Sequence, residues 1–437
     1  MSSSETGRLF EREYDPTVAI IGGGAAGMMA AASAVEAHPD ARITLFERNP
    51  RLGAKVIISG GGRCNVTTAD GDVRRILSRY PRGSRWLRHA MYSFPPDAVV
   101  DWFEGHGVPL KVESDLRVFP VSDNGRDVVG AFEQIFRERA VAVRLRESVA
   151  VIARDDAGGF TVQTAGGWAG RFETVVITTG GAAFRHTGSQ GDGFRFAAAL
   201  GHAVTPLYPS LNAYVVREAW AHGLAGVSFA DASLRIPARA PGGASHSFRG
   251  PFLFTHAGVT GPAVFALCSL AATETYSTER PMPLTINLLP DLTGPAADEL
   301  LRQRFASMGG RGVANVLDTL LPRSICPVLC ARAEIDADTR AARVSRADRQ
   351  KLAGAITALP LTVVGRRNGE EFVTAGGVQT DEVNPRTMES RLVPGLYFAG
   401  EVLNVDGFTG GYNLQAAWAT GRLAGLGAVE SRSPSAC

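Results

Sequence analysis

Apolar residues along this chain change period at places that mark elements. Thr17-Val18-Ala19-Ile20-Ile21 is a short β-branched run, which predicts a buried parallel strand. An alanine-rich stretch, Met28 to Ala37, then predicts a helix, and Arg42-Ile43-Thr44-Leu45-Phe46 predicts a second strand ending at Glu47. Val18 to Val35 carries no charge and is about long enough to span a bilayer. Its glycines interrupt it, so strand, turn and helix is the better reading. Far downstream the same pattern returns. Phe172 to Ile177 and Gly395 to Ala399 are short apolar runs ending in small residues, and Leu414 to Leu426 reads as a helix with small residues along one face. Between them, Val227 to Ile236 and Pro283 to Leu289 look like strands, while Ala296 to Leu321 and Asp348 to Ala358 look helical.

The turn between the first strand and helix carries candidate chemistry. Gly22-Gly23-Gly24-Ala25-Ala26-Gly27 fits G-x-G-x-x-G. Gly22 permits the tight turn, Gly24 lets the backbone approach a pyrophosphate, and Gly27 lets helix and strand pack closely. The helix start at Ala25 and Ala26 offers free N–H groups to phosphate. Glu47, followed by Arg48, stands where a carboxylate can accept ribose hydroxyl protons and repel a 2′-phosphate. The fingerprint alone does not separate FAD from NAD.

Other segments favour FAD. Lys55 and Ser59 lead into Gly60-Gly61-Gly62, where backbone amides can face a large planar or anionic ligand. Arg63 and Asn65 add donors there, and Cys64 lies beside them without a partner thiol, so packing is its expected role. The β-rich excursion Ala142 to Gln163 places Val149 near an adenine. The strand after it ends in Thr179-Gly180-Gly181. The late strand ends in Gly400-Glu401, with Asp406, Gly407, Gly410, Gly411, Tyr412 and Asn413 beyond it. Glu401 or Asp406 could hold ribityl hydroxyls. The Gly410-Gly411 amides would open the last helix towards the isoalloxazine edge that gains negative charge on reduction.

Composition narrows the class. With 45% hydrophobic and 20% charged residues the chain has material for a large core, and its length suggests two or three domains. Net charge is +2, which argues against a nucleic-acid surface in bulk. A local basic run, Arg74, Arg75, Arg79, Arg82, Arg85 and Arg88 with Tyr80 and Trp86, reads as a solvated helical face. The odd cysteine set, Cys64, Cys268, Cys326, Cys330 and Cys437, fits a reducing cytosol. No metal site is expected, because Cys326 and Cys330 have no accompanying histidine or cysteine pair.

Together these segments resemble the BaiN/aminoacetone-oxidase (YhiN-like) family of FAD-dependent oxidoreductases. The motifs are VAIIGGGAAG, ISGGGRCNVT, RVFPVS, TGSQGDG, FTHAGVTGP, TAGGV and GLYFAGEVLNVDGFTGGYN, in order from Val18 to Asn413. The resemblance implies an α/β fold with a Rossmann-like FAD domain of the two-dinucleotide-binding flavoprotein type, made from both chain ends. After a flexible tail (1–16), that domain takes 17–200 and 361–437. A β-rich inserted domain takes 201–290 and a small helical domain 291–360. Ala54, Leu116 and Ala183-Phe184-Arg185 depart from the family's pattern near the expected substrate side.

The implied activity is oxidation or reduction of a small organic substrate by hydride transfer at flavin N5. Amine or aminoketone oxidation and reduction of an activated C=C bond both fit. No second G-x-G-x-x-G is present, so a dedicated NAD(P)H domain is not expected, and reducing equivalents would come from substrate, from NAD(P)H visiting the flavin transiently, or from another protein. His256, in a loop before Gly261-Pro262, is a candidate proton donor or substrate ligand. Arg117 could clamp a substrate carbonyl or carboxylate, and Tyr208 is a weaker candidate. The rivals are an RNA-modifying flavoprotein and a non-catalytic FAD-binding protein. A cytoplasmic, membrane-free location is expected.

Overall fold

In the computed structural model, residues 17–430 are described apart from 240–242, 368 and 370. The expected tail and Cys437 lie outside the described residues. A five-stranded sheet organises the nucleotide-binding unit, in the order Leu396–Phe398, Thr174–Ile177, Thr17–Ile21, Arg42–Glu47, Ala142–Leu145. Every pairing in it is parallel. Its central strands are apolar on both faces because helices and loops cover both.

The two chain ends meet on one face. The fingerprint helix, Ala25–Ala37, packs against the closing helix, Tyr412–Glu430. A Cβ at Gly421 would stand 2.4 Å from Ala26 O, and one at Gly425 would stand 2.1 Å from Ala30 O. Glycine is therefore required for the backbones to touch, and this contact joins sequence ends into one core. A separate antiparallel sheet, Val149–Arg154, Phe160–Thr164 and Ala169–Phe172, projects from the strand order before the chain re-enters at Thr174.

The middle of the chain forms a closed barrel. Its strands are Tyr214–Val216, Ser228–Ile236, His246–Thr255, Gly258–Thr260, Met282–Asn287 and Leu359–Arg366. The last of these crosses the expected boundary at 360/361, so the nucleotide-binding unit resumes only beyond residue 366. The helices Gly294–Ser307, Val313–Leu317, Cys326–Arg332 and Arg346–Thr357 share one apolar core with the barrel. Leu301, Phe305, Leu352 and Ile356 lie in the same core as Leu284, Ile286 and Leu361. The expected single helix 296–321 is two, divided around Gly309, Gly310 and Gly312, because glycine weakens a helix interior. Among the described residues, no helix is long and apolar enough to cross a membrane.

Candidate functional site

Loops from both units enclose a cavity of about 1190 Å³. That exceeds the usual range for a single drug-sized ligand, about 300–1,000 Å³, and leaves room for a ligand as large as a dinucleotide. Gly24 and Gly411, nearly four hundred positions apart in the chain, both line it.

The fingerprint turn is built as its glycines require. Gly22 has φ +112°, and a Cβ there would stand 2.6 Å from Thr178 O. At Gly27 a Cβ would stand 1.9 Å from Gly22 O. A Cβ at Gly24 meets nothing within 4 Å, because the residue opens on the cavity. No side chain caps the helix that starts at Ala25, so its first N–H groups are available to an anion. Glu47 closes the second strand. Its carboxylate accepts from Gly23 N–H and Asn49 N–H, both at 2.8 Å. Burial raises its pKa above the ordinary carboxylate value, and those two amides work against the rise. Arg48 donates to Asp192 at 2.7 Å and Ser148 at 3.1 Å. Val149, Thr179 and Gly180 complete this end of the lining. Thr179 Oγ1 is buried without a partner.

At the other end, Gly60, Gly61 and Gly62 take φ of +57°, +73° and +91°, a left-handed run open to glycine at little cost. Lys55 Nζ donates to Glu401 at 2.6 Å, and the other Glu401 oxygen accepts from Thr374 N–H at 2.9 Å. Ser59 Oγ donates to Val56 O at 2.7 Å. With its amide oriented to satisfy both ends, Asn65 accepts from Gly411 N–H at 2.9 Å and donates to Thr67 O at 3.0 Å. That bond ties the early glycine loop to the late one. Asn413 lines the cavity and brackets Gly407, accepting from its N–H and donating to its carbonyl, both at 2.8 Å. The residues present thus fit FAD: an open glycine cradle at Gly24, an uncapped helix start, an orphaned threonine hydroxyl and a second glycine cradle at the far end.

Several expected residues lie elsewhere. Cys64 is fully buried, and desolvation pushes its thiol up to about 12, so it packs and does not exchange electrons. Arg63 turns to Glu113 at 2.6 Å and lies over the Phe119 ring, 3.9 Å from its centroid. Gly181 packs behind the wall, where a Cβ would meet Thr374 Oγ1 at 2.4 Å. Asp406 is fully buried in an ion pair with Arg82 and accepts from Ser210 at 2.8 Å and Ser269 at 3.0 Å. Those partners leave it tying the barrel side to the sheet, not holding ribityl hydroxyls. Gly407 is covered by Tyr80 and Tyr412.

Of the catalytic candidates, Arg117 alone reaches the cavity, and its charge is answered by Asp115 at 2.7 Å and Glu113 at 3.2 Å. His256 sits exposed in the hairpin turn between His246–Thr255 and Gly258–Thr260, outside the lining. Tyr208 lies in a short strand opposite Ala375, also outside the lining. The basic run does not form one face: Arg75 bonds Asp70, Arg82 turns inward to Asp406, and Trp86 donates to Val383 O at 3.1 Å.

The sequence did not single out the aromatic part of the lining as a wall. Phe248 and Phe408 meet edge to face across the two units, centroids 5.2 Å apart. Phe372 contacts Phe184 at 5.4 Å and Phe265 at 5.1 Å. All line the cavity, as do Leu211 and Arg79. Arg79 was visible only as one of many arginines in the basic run.

Comparison with known proteins agrees with this geometry. The family model of the HI0933-like protein Rossmann domain matches residues 16–427. A 3-dehydro-bile acid delta(4,6)-reductase from Clostridium scindens is 29% identical over 94% of this chain and 99% of its own length. A ribosomal RNA dihydrouridine synthase from Escherichia coli is 31% identical over 92% of this chain and 95% of its own. Among solved structures, 3-ketosteroid delta1-dehydrogenase from Sterolibacterium denitrificans shares the fold, with a TM-score of 0.51 at 12% identity, covering 95% of this chain and 100% of that one. The chain therefore belongs to the HI0933-like family and is an FAD-dependent oxidoreductase.

Proposed function

We propose that this protein reduces a C=C bond conjugated to a carbonyl in a flat, largely apolar small molecule. The observation that carries this reading is the aromatic wall of Phe184, Phe248, Phe265, Phe372 and Phe408, which continues the cavity past its glycine cradles. Flat rings stack well on such faces and bring little polarity with them. The names of both relatives point the same way: one is a reductase of a bile acid, the other makes dihydrouridine, and each implies hydrogen added across C=C. A small molecule is favoured over a base within RNA because four of the five cations that line the cavity are paired with carboxylates.

The chain's own groups have assignable roles. The N–H groups of Ala25 and Ala26, with the open space at Gly24, would hold the pyrophosphate of FAD. Glu47 would accept the ribose hydroxyl protons, and Val149 would lie against the adenine. Glu401, fixed by Lys55 and Thr374 N–H, would face the ribityl chain. Gly410 and the first N–H groups of the closing helix would meet the ring edge that becomes negative, while the Gly411 N–H stays with Asn65. When bound, FAD supplies hydride chemistry at N5. The phenylalanines exclude water from the transfer. NAD(P)H would serve as electron donor by visiting the cavity transiently, because no second dinucleotide fingerprint offers it a domain of its own.

The test is anaerobic. Holoprotein bleached by NADPH or NADH should be reoxidised by 2-cyclohexenone or a steroid enone, with the saturated ketone as product. Bleaching by amines with no enone turnover would overturn the proposal in favour of oxidation. Reoxidation by uridine in ribosomal RNA, with none by free enones, would move the substrate to RNA.

A further inference from the structure

The cations lining the cavity are Arg48, Lys55, Arg79, Arg117 and Arg249. Four carry carboxylate partners at close range: Arg48 with Asp192 at 2.7 Å, Lys55 with Glu401 at 2.6 Å, Arg117 with Asp115 at 2.7 Å, and Arg249 with Asp291 at 2.7 Å. Arg79 forms no ion pair among the described residues, and its Nε is buried without a hydrogen-bond partner. The nearby carboxylate, Asp70, is already taken. Arg75 Nη2 donates to it at 2.6 Å and Arg75 Nε at 3.1 Å, and this pairing is the main cause that holds Asp70 below the usual carboxylate range. Arg79 contributes only a weaker, more distant attraction to it.

The backbone holds Arg79 in place. Its N–H donates to Ile76 O at 2.9 Å, and its carbonyl accepts from Phe408 N–H at 2.9 Å. The next residue, Tyr80, packs on Tyr412, centroids 6.2 Å apart. Residue 79 is thereby fixed against Phe408, and both residues line the cavity. A guanidinium cannot shed its proton, and Arg79 lines the cavity with no carboxylate paired to it among the described residues, so an anionic oxygen in the cavity is a fitting partner for it.

We infer that Arg79 binds the carbonyl oxygen of the substrate and stabilises the negative charge that forms there. The inference rests on the enone reading given above. Were FAD bound, the hydride it supplies would form the C–H bond at the β-carbon, and Arg79 would hold the carbonyl oxygen as the C=C π pair shifts between the α-carbon and carbonyl carbon and that oxygen takes the negative charge of an enolate. A proton then adds at the α-carbon and restores the carbonyl. Arg79 stabilises the enolate without giving up a proton, so that proton comes from water or from a substrate-borne group.

A phenolate is a stable stand-in for such an enolate, flat with charge on oxygen, and its binding needs no turnover. Oxidised holoprotein is titrated with 4-chlorophenolate and followed by the flavin spectrum, for wild type, Arg79→Lys and Arg79→Met. The expected result is a dissociation constant raised about tenfold or more in Arg79→Met and by less in Arg79→Lys, with FAD content equal in all three. Equal affinity in all three, or no binding by wild type, overturns the inference. So does loss of FAD in both variants, which would place Arg79 on the cofactor. A wild type that binds phenolate through Arg79 yet reduces no enone sinks the enone reading and leaves the anion anchor standing.

Discussion

The cavity has two walls made of different material. On the nucleotide-binding side the lining is backbone: Gly22 to Gly24, Gly60 to Gly61, Gly180 and Gly410 to Gly411. On the barrel side it is side chain, chiefly Phe248 and Phe265, met across the gap by Phe184, Phe372 and Phe408. The backbone wall is fixed by sterics, because each glycine stands where a Cβ would strike a neighbour or fill ligand space. The aromatic wall is set by packing, which tolerates exchange among residues of similar size. One wall is therefore suited to a constant cofactor and the other to a changeable substrate.

Substitutions can break this contrast. The largest effect is expected at Gly27→Val, whose Cβ would stand 1.9 Å from Gly22 O. Destabilisation at or above the upper end of the usual overpacking range, about 1–3 kcal/mol, should appear in urea unfolding, with loss of FAD. Gly24→Val separates ligand space from folding. Nothing lies within 4 Å of its Cβ, and its φ of −84° suits any residue. Stability should stay within about 0.5 kcal/mol of wild type while FAD affinity collapses. If both fall together, Gly24 serves folding and not the ligand. On the other wall, Phe372→Ala should leave FAD content intact and raise the KM for an apolar enone about tenfold, the loss expected for one ring contact with the substrate. Equal KM would mean that the aromatic wall does not touch the substrate.

The smallest contrast is in pH response. His202, in the nucleotide-binding unit, has its pKa lowered below 6.5 chiefly by burial, with Glu382 opposing. Its unfolded form binds a proton first, so this unit should lose stability as pH falls below 6.5. In the barrel, burial raises Cys268 above 9.0 and Tyr214 well above 10.0. The unfolded barrel ionises first, so it should lose stability as pH rises above 9.0. Thermal unfolding of wild type and His202→Asn across this range checks both. An unchanged acid limb in His202→Asn would remove His202 as its cause.

Much of the backbone wall could be read from the chain. Gly22, Gly24, Gly27 and Glu47 sit at spacings that follow from local strand, turn and helix geometry, and the glycines at 410 and 411 precede a visibly helical run. The roles of individual side chains were harder. Asp406 looked like a cofactor ligand because of its neighbours, but Arg82, Ser210 and Ser269 converge on it from distant segments and bury it. His256 looked chemical in its glycine-rich loop, yet the barrel spends that loop on a hairpin turn at its rim.

The amino-acid order by itself determined the nucleotide-binding elements, because those depend on contacts within a few residues and on what a missing Cβ allows. Only the folded chain decided which phenylalanines face one another and which cavity arginine is left without a carboxylate. Those outcomes depend on the meeting of positions 79, 184, 248, 265, 372 and 408, and no periodicity links residues so far apart. Charge pairing is a long-range competition: Asp70 took Arg75 and left Arg79 to the cavity, a result that tertiary distances set and local spacing does not.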